Sequence, residues 1–227
     1  MHMQHLGVLL CLKVVFSWSG LDYSRAIFYF YGVTFDWINF VDSHRGIGLQ
    51  LRDSAGNIYE VLFSNFNIMT RYYDLSWWGR AEPIYVTSCP RSSATVVGSI
   101  YNVSFVNITA VSENGIFKSG PEGDLLRNLT LENIILQLQS FTNYTGGLLD
   151  YRPGCQGLVN KHQNSGIYIE RLSNLLLNKV QVSFAPNNQR PFVPIEIASA
   201  TIPENIEFVD FSLFYQTCLE AKLALGH

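Results

Sequence analysis

Arginine, histidine and aromatic side chains crowd two stretches of this sequence, residues 42–53 and 71–85. A guanidinium group binds a carboxylate through two parallel hydrogen bonds, and an aromatic face packs against a sugar ring or a cation. These residue types predict a surface for an acidic sugar. A solvated turn in the first stretch and a hydrophobic plug in the second are the alternatives. The predicted substrate contacts are His44, Arg45, Arg52, Trp77, Trp78, Arg80, Glu82 and Tyr85.

Charge and cysteine content exclude several other functions. The 227-residue chain has a formal net charge of −3 and only 15% charged residues. Because no basic stretch is available to neutralise phosphates, we predict no nucleic-acid partner. The four cysteines are widely spaced without a CxxC pair, which predicts no metal site and allows one or two disulfides in a secreted protein. No cofactor is predicted.

N-glycosylation sequences indicate the secretory route. The pattern N-x-[ST] occurs at Asn102, Asn107, Asn128 and Asn143, which are the predicted glycosylation sites. We therefore expect a secreted protein, located outside the cell or in the cell wall. No apolar run is long enough for a membrane span, so no stable membrane insertion is expected. Residues 1–30 are interpreted as a weak signal-like segment or a stretch that is not native to the fold.

A seven-residue motif recurs along the chain. Its consensus is Asn, apolar, any, apolar, any, Asn, apolar, and it is clearest at residues 102–108 and 128–134. Intervals of 26 to 31 residues suit one coil of a β-solenoid, and the intervals of 42 and 46 predict coils with an inserted loop. A leucine-rich repeat has a shorter period, and a β-sandwich would not repeat the motif. The six copies begin at Gly32, Glu60, Asn102, Asn128, Asn174 and Asn205.

The repeat predicts an all-β fold, a parallel β-helix of about six coils over residues 31–214, with two longer loop insertions. Alternation within each copy turns one set of apolar side chains inward. The asparagine that follows tolerates a tight-turn backbone and can bond to the equivalent asparagine of the next coil. Residues 215–227 are predicted to be a tail with a short capping helix at 217–225. The glycine-rich stretch 142–157 is interpreted as structural, and the protein as a monomer.

Four short stretches, spread over most of the chain, share a pattern with a known enzyme family. They read HRGIGLQ at residues 44–50, WWGRAEPI at 77–84, SENGIF at 112–117 and DYRPGCQG at 150–157. In this order they resemble plant-type members of the family 28 glycoside hydrolases, which are polygalacturonase-like proteins. The resemblance implies a right-handed parallel β-helix of the pectin-lyase type. It also implies hydrolysis of galacturonan-like chains with inversion at the anomeric carbon.

The family's catalytic motifs are missing from this sequence. Inverting hydrolysis needs one carboxylic acid on the leaving oxygen and one carboxylate that activates water. The family takes these from an Asn-Thr-Asp strand and an Asp-Asp pair, followed by a Gly-His-Gly turn, and none of the three occurs here. We expect them upstream of Gly32, so the chain corresponds to the C-terminal part of a longer protein and no residue is predicted to be catalytic. Where the family has Arg-Ile-Lys, residues 48–50 carry no cation, and Arg45 and Arg52 flank the position.

Three functions follow from these observations. The first is a polygalacturonase-like glycoside hydrolase acting on pectic polysaccharide, present here without its catalytic aspartates. The second is a non-catalytic carbohydrate-binding β-helix. A polysaccharide lyase ranks last, because it needs clustered carboxylates for Ca²⁺, and Asp42 and Asp53 are the only close acidic pair near the predicted sugar-binding surface. The expected partner is an acidic, galacturonan-like polysaccharide.

Overall fold

The structure, a computed structural model, describes residues 29–74, 76, 79–120, 123, 125–144, 146–150, 158–160, 164–185, 192–198 and 206–215. Every regular element in these ranges is a β-strand. Over the same ranges there is no helix of a length and hydropathy that could cross a membrane. Trp77, Trp78, residues 1–28 and the helix predicted at residues 217–225 lie outside the described residues.

Fourteen strands make up the described part of the chain. In chain order they are β1 (Phe30–Ser43), β2 (Ile47–Leu51), β3 (Ile58–Thr70), β4 (Ile84–Ser88), β5 (Ile100–Ser112), β6 (Ile116–Ser119), β7 (Leu126–Leu138), β8 (Leu148–Asp150), β9 (Leu158–Asn160), β10 (Asn164–Glu170), β11 (Ser173–Phe184), β12 (Phe192–Ile197), β13 (Ile206–Val209) and β14 (Ser212–Tyr215). The first sheet has the order β1-β3-β5-β7-β11-β13, with β14 also paired to β11. The second sheet has the order β12-β10-β6-β4-β2, and β8 pairs with β9.

All neighbours in the first and second sheets run parallel, and the pairing follows the sequence repeat. The second residue of each motif copy, or its equivalent, pairs with the next one along the first sheet: Val33, Val61, Val103, Leu129, Leu175 and Ile206. The predicted phase of the six copies is therefore confirmed. Because each long strand of the first sheet alternates along the chain with a short strand of the second, the arrangement is compatible with a parallel β-helix.

Left-handed backbone positions bend the long strands. In β5, Asn102 and Asn107 have φ angles of 53° and 55°. Two successive residues point outward at each of these positions, so that Val103 and Ile108 turn inward again. Asparagine tolerates this conformation better than other residues with a side chain. The motif therefore encodes one long, twice-bent strand per repeat.

Apolar side chains of both sheets meet in one continuous core. Equivalent residues of successive coils stack on each other, as in the row of Phe35, Phe63 and Phe105, whose ring centroids lie 5.0 and 5.2 Å apart. Ile84 and Val86 of β4 face these rows from the second sheet and are fully buried. The stacking follows from parallel, in-register pairing, which places identical positions of neighbouring strands side by side.

The longer coils carry extra residues where the chain enters the second sheet. Residues 44–46 suffice to join β1 to β2, but residues 71–83 join β3 to β4. Residues 139–163 lie between β7 and β10 and include the antiparallel pair β8–β9. The two predicted insertions are thus confirmed, and both lie at the corner that carries most of the candidate site residues.

Candidate functional site

The turn before β2 packs directly on the turn before β4. The backbone N–H of Ala81 donates to the carbonyl of His44 over 2.9 Å, and the N–H of Gly46 donates to the carbonyl of Glu82 over 2.9 Å. No larger residue fits at the contact points. A Cβ atom on Gly46 would lie 2.3 Å from the Pro83 carbonyl oxygen, and one on Gly79 would lie 2.6 Å from the His44 carbonyl oxygen. Two of the motifs that carry the family resemblance therefore meet in space.

Arg45 is the centre of this contact. Its Nε and Nη2 donate to the two carboxylate oxygens of Glu82 over 3.1 and 3.2 Å. Its guanidinium carbon lies 3.6 Å from the centre of the Tyr85 ring. Glu82 and Tyr85 are fully buried, whereas the Arg45 side chain stays 18% exposed. The ion pair and the ring fix the orientation of the guanidinium group, while the side chain as a whole stays partly exposed.

Arg80 has a different environment. Its side chain is fully buried. Nη1 donates to the carbonyls of Gly79 and Asp74 over 3.0 and 3.3 Å, and its backbone N–H donates to Glu82 over 2.8 Å. The guanidinium group lies 5.7 Å from the centre of the Tyr72 ring. These contacts hold the turn before β4 in shape, and Arg80 reaches solvent far less than Arg45 does.

His44 packs beside the same turn. Its Nε2 accepts a hydrogen bond from the backbone N–H of Asp74 over 3.2 Å, and its ring contacts Tyr72 and Tyr73 at centroid distances of 5.9 and 5.0 Å. Burial lowers the pKa of His44, because the charged imidazolium loses hydration there. The neutral ring therefore predominates at pH 7, with its proton on Nδ1 because Nε2 accepts.

Arg52 lies apart from this cluster, since it follows β2 whereas Arg45 precedes that strand. Five strand residues span about 16 Å. Arg52 forms an ion pair with Asp53 at 3.4 Å, and Asp53 also pairs with Arg91 at 2.9 Å, all three in solvent-accessible positions. The structure brings together His44, Arg45, Arg80, Glu82 and Tyr85, and it separates Arg52 from them. Substrate contact stays a prediction for each of these residues.

Sequence reasoning identified Tyr85 but missed the row to which it belongs on the outward face of the second sheet. Tyr85, Phe117 and Tyr168 form one row on it, with ring centroids 5.2 and 5.3 Å apart, and all three are buried. A polar row runs beside the rings. By strand register it consists of Gln50, Thr87, Ser119 and Glu170. The alternation of inward and outward residues along each short strand was the signal that could have identified both rows.

Two further features lie close to these rows. The Ser119 hydroxyl donates to Glu170 over 2.9 Å, and Arg171 pairs with the same carboxylate at 3.1 Å. Cys89 packs with the aromatic row and is disulfide-bonded, while the other three cysteines of the chain fall outside the described residues.

Among the described residues, no group of three or more His, Cys, Asp or Glu side chains is arranged to hold a metal ion.

The predicted glycosylation sites lie elsewhere on the molecule. Asn102 and Asn107 belong to β5, Asn128 belongs to β7, and Asn143 lies in the loop that follows β7. All four residues are exposed. The three strand residues point away from the core on the first sheet, so a glycan on any of them would lie on the first sheet and not on the second.

Comparison with known proteins gives no assignment. No family model, no curated protein and no solved structure matches the chain. The resemblance to family 28 glycoside hydrolases therefore stays a prediction from the four motifs.

Proposed function

We propose that this chain is a secreted, polygalacturonase-like β-helix protein that binds pectic, galacturonan-like polysaccharide. The observation that carries the proposal is the contact between two of the resembling motifs. Arg45 and Glu82, one from each motif, are 37 residues apart in sequence, yet they form one cluster with Tyr85, which directly follows the second motif. A partly exposed arginine that a buried carboxylate and a buried ring hold in a fixed orientation is suited to the carboxylate of an acidic sugar.

The finer fold assignment is a right-handed parallel β-helix of the pectin-lyase type. Parallel strands of successive coils support it, as do the asparagines at equivalent bends. Handedness follows from the strong preference of parallel strand connections for the right-handed crossover. Secretion is supported by the disulfide at Cys89 and by the four glycosylation sequences, because disulfides persist mainly in oxidising compartments.

In this proposal Arg45 recognises a uronate carboxylate. Glu82 compensates part of its charge, so the substrate carboxylate would join an existing ion pair and share its donors. Such a contact favours an anionic sugar over a neutral one and weakens with salt. Because Glu82 and Tyr85 already restrict the side chain, binding costs little further rotamer entropy.

The chain is proposed to bind its polysaccharide without cutting it. Inverting hydrolysis requires two carboxyl groups about 6.5–9.5 Å apart, with room for a water molecule between them. The sequence contains none of the three family motifs that would supply them. The non-catalytic carbohydrate-binding function is therefore favoured for this polypeptide, and hydrolase ancestry accounts for its scaffold.

Titration of the purified chain with an oligogalacturonide, followed by calorimetry, tests the binding function. We expect affinity that falls with salt and drops at least several-fold in Arg45→Gln. Arg127→Gln is the matched control, since Arg127 also stacks on a tyrosine ring, at 4.6 Å from Tyr101, but lies on the first sheet. Equal affinity for neutral and acidic oligosaccharides, or equal loss in both variants, would contradict the proposal.

The absence of hydrolysis has its own test. Purified chain is incubated with polygalacturonate, and new reducing ends are measured over time against a heat-denatured sample. We expect no increase above that control. Sustained release of reducing ends would show that carboxylates outside the family motifs perform the reaction.

A further inference from the structure

Two rows of asparagine side chains run across the first sheet, one at each bend of the long strands. In the first row, Nδ2 of Asn128 donates to Oδ1 of Asn102 over 3.1 Å, and Nδ2 of Asn174 donates to Oδ1 of Asn128 over 3.0 Å. Each amide thus donates toward the preceding coil and accepts from the following one. We call these rows the asparagine ladders.

The second ladder has the same direction. Nδ2 of Asn107 donates to Oδ1 of Asn65 over 3.2 Å, and Nδ2 of Asn133 donates to Oδ1 of Asn107 over 2.8 Å. Asn65 in turn donates to the carboxylate of Asp36 over 2.7 Å, which closes the row at the β1 end. The ladders therefore use the amide nitrogens of interior members as donors.

Three of the four glycosylation sequences start at ladder asparagines, and their positions in the ladders differ. Asn107 and Asn128 are interior members, because each donates through Nδ2 and accepts through Oδ1. Asn102 ends its ladder, because it accepts from Asn128 and the equivalent position in the preceding coil is Glu60. Within the described residues, Nδ2 of Asn102 has no hydrogen-bond acceptor.

N-glycosylation acts on the same nitrogen atom that the ladders use. Nδ2 attacks C1 of the sugar in a lipid-linked oligosaccharide diphosphate. The Nδ2–C1 bond forms, the C1–O bond breaks, the diphosphate leaves with the bonding electrons, and Nδ2 loses one proton. Neighbouring strands lie about 4.8 Å apart, which is narrower than a sugar ring with its substituents. Nδ2 keeps a single N–H after this reaction, and a sugar ring wider than the strand spacing would crowd the amide of the preceding coil. A sugar on Asn107 or Asn128 would therefore strain the ladder bond made there.

Asn143 has no such constraint. It is exposed in the loop after β7, and no hydrogen bond ties its side chain to any described residue. Its neighbours are anchored: the Thr142 hydroxyl donates to Glu113 over 2.9 Å, and the buried Tyr144 stacks on Tyr72 with centroids 4.2 Å apart. Asn143 lies between these two anchored residues and is exposed.

We infer that the folded protein carries N-glycans at Asn143 and Asn102, and that Asn107 and Asn128 stay unmodified as donors of the asparagine ladders. The inference rests on the secretory route proposed above, but it does not depend on any ligand. Two of the four glycosylation sequences, those at Asn107 and Asn128, thereby have a structural function and carry no glycan.

Secretion of the full chain from a glycosylating eukaryotic host, directed by an added signal peptide, tests this assignment. The four sequences are removed one at a time through their hydroxyl residue, which leaves every asparagine in place: Ser104→Ala, Thr109→Ala, Thr130→Ala and Thr145→Ala. We expect Ser104→Ala and Thr145→Ala to lose the mass of one glycan each. Thr109→Ala and Thr130→Ala should leave the glycan mass of the intact protein unchanged.

A positive control shows that the host modifies exposed loops of this protein. Ser93→Asn creates a glycosylation sequence with Thr95 in the exposed turn after β4 and should add one glycan. Loss of a glycan in Thr109→Ala or Thr130→Ala would overturn the inference. So would a Thr145→Ala protein that loses none while Ser93→Asn gains one. Failure of pectin binding would leave these results unaffected, so the two proposals fail separately.

A measurement on unglycosylated protein covers the case in which secretion fails. Side-chain amide exchange with solvent is followed by nuclear magnetic resonance on protein made in bacteria. The Nδ2 hydrogens of Asn107 and Asn128 should exchange more slowly than those of Asn143. Equal exchange rates would remove the structural basis of the inference and overturn it.

Discussion

Lys118 is a charged residue type inside the apolar core. It lies on β6, is fully buried, and has Val86 and Ile169 as its register neighbours. Nζ lies 5.2 Å from the centre of the Phe105 ring and has no hydrogen-bond partner among the described residues. Burial lowers the pKa of Lys118 to about 7, because the ammonium group loses its hydration. The residue is therefore largely neutral in the folded protein above that pH.

Replacing this lysine should stabilise the protein. The unfolded chain binds a proton at Lys118 up to its usual pKa of 10.5, and the folded chain releases it near 7. The contribution of Lys118 to the free energy of unfolding is therefore lowest below pH 7. It rises with pH between the two pKa values by about 1.4 kcal/mol per pH unit. Lys118→Met should remove this slope and raise the free energy of unfolding at pH 7 by up to about 5 kcal/mol.

Urea denaturation at pH 7 and pH 9 measures both effects. The exposed Lys179 supplies the control variant Lys179→Met, which should leave the slope between these pH values unchanged. A wild-type protein whose stability falls from pH 7 to pH 9 relative to Lys118→Met would contradict the assignment.

Glu113 joins three coils through one carboxylate. The side chain is buried and accepts the backbone N–H groups of Tyr72, Phe141 and Thr142 over 2.8, 2.8 and 2.7 Å. Tyr72 follows β3, Glu113 follows β5, and Phe141 and Thr142 follow β7. The carboxylate therefore fixes the corner at which the chain leaves the first sheet, next to the cluster around Arg45.

Truncation of Glu113 should be costly. In Glu113→Ala the three N–H groups lose their acceptor, which predicts a loss of about 3–5 kcal/mol in the free energy of unfolding. Glu113→Gln keeps one acceptor oxygen and should lose less. Denaturant titration of both variants measures the difference, and a loss below about 1 kcal/mol in Glu113→Ala would show that water replaces the carboxylate.

At the level of the strands, the left-handed bends decide which sequences fit. Asparagine occupies most of these positions in β5, β7 and β11, but Trp37 occupies the equivalent bend of β1 with φ of 56°. Its side chain is 79% exposed, so it gains little from burial. A bulky residue in this conformation stores strain of about 1 kcal/mol or more.

Trp37→Asn should relieve that strain and place an amide beside Asn65. We expect the free energy of unfolding to rise by about 0.5–1 kcal/mol. Trp37→Ala is the control, because it removes the same exposed ring without adding an amide or a residue suited to the bend. Thermal unfolding followed by circular dichroism compares the three proteins, and equal midpoints for both variants would contradict the role of the bend.

The same bends explain how much of the architecture the sequence predicts. The asparagines that occupy most of these bends recur in the sequence. Their spacing predicts the phase of all six copies of the motif. The contact between Arg45 and Glu82 cannot be predicted from the repeat, because the loops that carry these two residues differ in length. Burial of Arg80 depends on the fit of Gly79 under the His44 carbonyl, which is a property of two coils together. Trp77 and Trp78 stay predictions from sequence.

On the scale of the whole molecule, β1 is the first strand of the first sheet within the part of the chain that the structure describes. Among the described strands β3 is the one partner of β1, which exposes Trp37 and Val41 at 79% and 71% accessibility. An edge strand with exposed apolar side chains offers unpaired backbone groups to another chain. Where this side of β1 stays unpaired, we expect association at high protein concentration, although a monomer is predicted for dilute protein.

A charge on this edge should oppose association. Val41→Lys is expected to shift the sedimentation of concentrated protein toward the monomer, because lysine on an edge strand disfavours strand pairing between chains. Val96→Lys is the matched control, since Val96 is 73% exposed but lies in the segment between β4 and β5. Equal effects of both variants would attribute the change to net charge alone.

The inserted loops have a further consequence for how freely the sequence can vary. Partners on neighbouring coils are separated by 26 residues between β5 and β7 and by 46 between β7 and β11. The entropy of closing a flexible loop grows only with the logarithm of its length, so the longer circuit costs about 0.5 kcal/mol more. Lengthening a loop at the entrance to the second sheet is thus nearly neutral for stability. Residues inserted at that corner, beside Arg45, can therefore add new side chains to the surface with little loss in the free energy of unfolding. The asparagine ladders meanwhile keep the strands of the first sheet in register.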